Sequence, residues 1–127
     1  MTKIKSLEEA LKIFEEATIV HGDCTDNSDY KTGNKANSRA VKALDYLRDN
    51  KQLLELKRFF THTAIGPRKW AAAELLPLTE EDSVKVLTEI SKGKGYNAFG
   101  AEYILKEWAK PDSELRQRFI GRIKVEK

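Results

Sequence analysis

The chain has very little cysteine, histidine or proline to build chemistry or breaks with. Its one cysteine, Cys24, cannot close an intramolecular disulfide and has no Cys-x-x-Cys neighbour, so dithiol and zinc-ribbon chemistry are excluded. There are two histidines and three prolines, and no catalytic or glycine-lysine phosphate-loop signature. No apolar run is long enough for a membrane span, and Met1-Thr2-Lys3-Ile4-Lys5 leads straight into an amphipathic pattern with no signal-peptide core. The expectation is a cytoplasmic protein without a membrane anchor. No stretch alternates apolar and polar residues over strand length apart from the short, charged Ile120 to Val125.

What the chain does have is amphipathic helix. Its 127 residues suit a single domain, 1–127, with 1–5 and 122–127 expected to be flexible. A content of 40% hydrophobic and 34% charged residues is ordinary for a helical globule and too apolar for a disordered chain. The net charge of +3 is concentrated between Arg39 and His62, where six basic residues face three acidic ones. That bias falls short of the basic stripe of a nucleic-acid binder.

The organising stretch is Gly66 to Leu76, in which Pro67 suits a first helical turn and Ala71, Ala72 and Ala73 allow close helix approach. It returns 28 residues on, with Ala73-Glu74 aligning on Ala101-Glu102, Leu56 on Val84 and Phe59 on Leu87. Before it, Ser6-Leu7-Glu8-Glu9 spells a capping box, and Leu7, Leu11, Phe14 and Thr18 give a helix expected to stop at His21-Gly22. Gly22 to Gly33 reads as a polar loop, or as a helix extension of poor propensity. Ala36 to Leu47 and Leu53 to Phe60 then give two helices with almost no linker, expected to form a tight antiparallel pair. Pro77 ends the fourth helix, Thr79 caps a fifth closed by Gly93-Lys94-Gly95, and a sixth runs from Tyr96 to Ala109. Pro111-Asp112-Ser113 opens a last one, with Leu115, Phe119 and Ile123 packing back. The spacing predicts an all-α fold of about six to seven short helices in an α-α superhelix, HEAT/armadillo-like.

Three segments carry a family resemblance: His21-Gly22 with Gly33-Asn34 and Ala36-Asn37-x-x-Ala40, then Pro67-Arg68-Lys69-Trp70-Ala71-Ala72, then Ala101-x-x-x-Leu105 near Trp108. From Leu7 to Trp108 the chain resembles a family of small bacterial helical proteins classed as a domain of unknown function. It departs from the family pattern at Pro67 and at Lys31-Thr32-Gly33-Asn34. The resemblance implies a HEAT-like or armadillo-like superhelix, a bacterial cytosolic setting and a protein-binding role. In its sharpest form it implies an immunity protein that neutralises a toxin domain.

His21, Asp23, Cys24, Asp26 and Asp29 match neither a zinc pattern nor an EF-hand loop, so no metal and no cofactor is expected. His21 and Asn37 read as groups that hydrogen-bond exposed backbone where the first helix gives way to the second, and His62 as a helix-end residue. A catalytic Cys24–histidine pair would need an orienting group and an oxyanion site, and neither is visible, so no enzyme is expected. Trp70 and Trp108 fall beside apolar stripes and read as core or half-buried packing rather than as partner anchors. The expected partner is another protein, docked on polar and aromatic residues at helix starts and outer faces: Arg39, Lys42, Tyr46, Arg68, Lys69, Tyr96, Asn97 and Tyr103. The alternative is a nucleic-acid or nucleotide binder using the cations from Arg39 to Arg68.

Overall fold

A computed structural model describes residues 3–123, with side chains through Arg122. Among the described residues it is all-helical: α1 Leu7–Asn27, α2 Tyr30–Asp49, a 3-10 segment Leu53–Thr61, α3 Ile65–Glu74, α4 Glu80–Ser91, α5 Tyr96–Trp108 and α6 Glu114–Ile123. Residues 120–123 are helical, so the described part of the alternating tail is not a strand. The fraying expected at the two ends falls partly outside the described residues.

α1 starts as the sequence predicts, Ser6 Oγ accepting from the Glu9 N–H at 3.2 Å. It does not stop at Gly22, however. It runs 21 residues to Asn27 and turns through Ser28, left-handed at φ 63°, before Asp29 caps α2 by accepting from the Thr32 N–H. The stretch that reads as a polar loop or a poor helix extension is therefore the end of one helix and the start of the next. Two of the helices are not short, and the principal antiparallel pair is α1 with α2, not α2 with the 3-10 segment.

The reason is close packing. Gly22 lies against Gly66 of α3, where an added Cβ would come within 3.1 Å of the Gly66 Cα. A Cβ on Gly66 would run into the Thr18 carbonyl. At this crossing helix backbones touch, which only glycine allows, so the residue that reads locally as a terminator is kept inside a helix.

The alanines of α3 serve two cores at once. Ala71 and Leu75 join Leu11, Phe14, Leu44, Leu47, Leu53, Leu56 and Phe59. Ala72 and Leu76 join Val86, Leu87, Ile90, Ala101 and Trp108. The 28-residue echo is kept where it is apolar, with Leu56, Phe59, Leu87, Ala73 and Ala101 buried and Val84 half-buried. It breaks at glutamate. Glu102 is exposed, whereas Glu74 is buried and accepts from Arg122 Nη1 at 2.8 and 3.1 Å, with Arg48 Nη2 at 3.8 Å. Burial pushes the Glu74 carboxyl above its ordinary pKa, and the two arginines oppose that shift.

Both tryptophans take the partners that a half-apolar, half-polar side chain needs. Trp108 is buried, donates to Glu80 Oε2 at 2.6 Å and carries the Arg116 guanidinium over its ring. Trp70 is half-buried, edge-on to Phe14, and donates to His21 Nδ1 at 3.3 Å. No helix among the described residues is long and apolar enough to cross a membrane.

Candidate functional site

The start of α5 is fastened to the end of α1 by one buried amide. Asn97, 1% exposed, donates from Nδ2 to the Gly22 carbonyl and to Asp26 Oδ2, both at 2.9 Å, while its own N–H donates to Asp26 Oδ1 at 3.3 Å. Its Oδ1 accepts from Lys69 Nζ at 3.4 Å. Asp26 thereby caps α5 from another helix, at the end where the helix dipole favours a carboxylate. Gly95 leads into this cap at φ +94°, and a Cβ there would sit 3.0 Å from Asp26 Oδ1. Both the backbone angle and the space require glycine.

This clamp fixes the outer face of α5. Tyr96, Phe99 and Tyr103 follow each other at i, i+3 and i+7, so they share one face, opposite the buried Ala98, Ala101 and Trp108. They are 57%, 69% and 57% exposed. Tyr30, at the start of α2 and 76% exposed, lines a recess of about 230 Å³ together with Tyr96, Cys24 and Asn34. The lysines on the same helix turns are matched: Lys106 to Glu102 at 2.9 Å and Lys110 to Glu107 at 2.7 Å.

The eight residues singled out by sequence fall into separate places. Tyr96 and Tyr103 share the α5 face. Arg39, Lys42 and Tyr46 line an open groove of about 850 Å³ along α1 and α2, with Ile4 and Ile13 at its base. Arg68 clips α3 to its neighbours, donating to the Phe60 carbonyl and to Glu89 Oε2. Lys69 and Asn97 meet each other beneath the α5 face, and Asn97 is not accessible. Phe99 and Tyr30 were missed. The signal for Phe99 was its place three residues after Tyr96, off the buried stripe.

The polar run from His21 to Asp29 disperses among different tasks. His21 does not bond exposed backbone; it accepts from Trp70, and burial, then the Lys69 charge, hold its pKa below the ordinary value. Cys24 is buried, and desolvation, then Asp29 and Asp23, push its thiol upward, which weakens it as a nucleophile. Asp26 serves Asn97 and Asp29 caps α2. No three His, Cys, Asp or Glu side chains among the described residues are grouped to hold a metal ion. His62 accepts from the Ala64 N–H at Nδ1, which leaves Nε2 as the donor to Glu15 at 2.7 Å.

Compared with family models, with curated proteins and with solved structures, the chain finds no match in any of the three.

Proposed function

We propose that this chain is a non-enzymatic protein-binding module whose α-hairpins stack in a HEAT-like or armadillo-like manner, and that its partner docks on the aromatic face of α5. The observation that carries this reading is the row Tyr96, Phe99 and Tyr103, each more than half exposed on a helix clamped at its start by Asn97. Rigid exposed aromatics contribute large contact area at low entropic cost, and such residues dominate protein interfaces. The stacking reading is supported by the 28-residue echo between the pair made by the 3-10 segment with α3 and the pair made by α4 with α5. The partner class that the resemblance implies, a bacterial toxin domain blocked by an immunity protein, is the one to test first.

The charge pattern favours protein over nucleic acid. Within the basic stretch Arg48 meets Asp45, Lys57 meets Asp82, Arg58 meets Glu55 and Glu8, and Arg68 meets Glu89. Cations already matched to carboxylates have little left for phosphate. The non-enzymatic reading is supported by a buried Cys24 and by a His21 whose Nδ1 is committed to Trp70.

The experiment is co-elution with a candidate toxin domain, using the wild type and a Tyr96→Ala, Phe99→Ala, Tyr103→Ala triple variant. Complex formation by the wild type that survives moderate salt, together with its loss in a triple variant of unchanged melting temperature, supports the proposal. Equal binding by the triple variant overturns the site. Salt-steep binding of single-stranded or duplex nucleic acid in place of protein overturns the partner class.

A further inference from the structure

Beneath the α5 face lies a recess of about 250 Å³ lined by residues of α1, α3, α5 and α6. Trp70, Ala73, Ile104 and Phe119 supply apolar wall, and His21, Lys69, Glu74 and Arg122 supply polar groups. An enclosed apolar cavity of about 150 Å³ already accommodates a benzene ring, so this space admits a ring bearing one small substituent. We propose that it binds a small carboxylate carried on an aromatic body, with the carboxylate held by Lys69 and His21.

Charge selects the anion. Glu74 and Arg122 are joined at 2.8 and 3.1 Å, with Arg48 adding a second cation, so this acid is neutralised from within the protein. Among the described residues the Lys69 ammonium meets no carboxylate directly: its hydrogen bond goes to the amide oxygen of Asn97 at 3.4 Å, with Asp26 on the far side of that amide. Burial pulls the Lys69 pKa down, and Asp26 only partly offsets this. A cation half-buried without a contacting anion is stabilised by any carboxylate brought to it.

Geometry supplies the second donor. His21 Nδ1 accepts the Trp70 indole N–H, so the proton of the neutral ring is on Nε2, which is then a donor. Lys69 and His21 both line the recess, and the lysine charge acts on the ring. Gly100 of α5 makes room for the lysine, since a Cβ there would collide with its Cε and Nζ.

Sodium benzoate is the probe, titrated into the full chain at constant ionic strength and read by the two tryptophan indole N–H resonances. The expected result is a saturable shift of the Trp70 indole with the Trp108 indole unmoved. Benzyl alcohol, of the same shape without charge, should bind at least about tenfold more weakly, the loss of a charge-assisted hydrogen bond. Lys69→Gln should erase that preference, and the benzoate-to-alcohol ratio in the wild type tests the same point without a variant. The proposal is overturned if the Trp70 indole does not move, if benzyl alcohol binds as well as benzoate, or if both indoles shift together.

Discussion

Lys69 Nζ donates to Asn97 Oδ1 across 3.4 Å, and the two residues stand 28 positions apart, the offset that carries Ala73 onto Ala101. Equivalent positions of successive helical pairs thus touch, and Asn97 adds the bonds that tie this joint to α1. Replacing Asn97 with alanine removes the side-chain donor to the Gly22 carbonyl in a buried place and to Asp26 Oδ2, while the backbone N–H at position 97 still reaches Asp26 Oδ1. The expected cost is about 2 kcal/mol, measured by urea unfolding. Amide hydrogen exchange should accelerate first at the start of α5.

The glycine crossing of α1 and α3 should be the least tolerant point in the fold. Gly66→Ala forces a methyl into the Thr18 backbone, which cannot give way as a flexible side chain would. A loss of about 3 kcal/mol is expected. Gly22→Ala, whose added atom would stand 3.1 Å from the Gly66 Cα, should cost less. Denaturation midpoints of the two variants would show this order, and a neutral Gly66→Ala would refute it.

α2 ends in a motif that usually carries glycine. The Gln52 N–H bonds the Leu47 carbonyl at 2.8 Å and the Lys51 N–H bonds that of Arg48 at 3.1 Å, with Lys51 left-handed at φ 57° between them. A lysine in that conformation carries a steric penalty that glycine avoids. Lys51→Gly should therefore stabilise the protein by about 1 kcal/mol, seen as a raised melting temperature.

These residues also mark how much of the molecule was legible in the sequence. Helical periodicity gave α3, α4, α5 and α6 nearly at their observed ends, because each apolar stripe meets a core and each break has a local cause. α3, for example, ends at Glu74, shortly before Pro77. The reach of α1 past Gly22 was legible only as an alternative to a loop, since that glycine answers to Gly66, 44 positions away in the chain. Nor was the 3-10 character of Leu53–Thr61, whose apolar spacing suits either helix. Of the candidate face, Tyr96 and Tyr103 could be named from sequence. The inward turn of Asn97 could not, because its partners Gly22 and Asp26 lie on another helix.

Acid should loosen the joint between α1 and α3. The His21 pKa is lowered in the folded protein, so the unfolded chain binds the proton more readily. The stability that neutral His21 contributes is fully present above about pH 6.5 and is lost as pH falls through the lower folded value. Glu74 works in the opposite sense. Its raised pKa makes its contribution greatest below about pH 4.5, and that contribution declines as pH rises through the folded value. Comparing the wild type with His21→Gln between pH 5 and 7 cancels the Glu74 contribution, which both proteins share. The difference should grow with pH by no more than about 1.4 kcal/mol per pH unit, the limit for one proton. A flat difference would mean that protonated His21 keeps the Trp70 indole as a partner, which the single lone pair at Nδ1 does not allow.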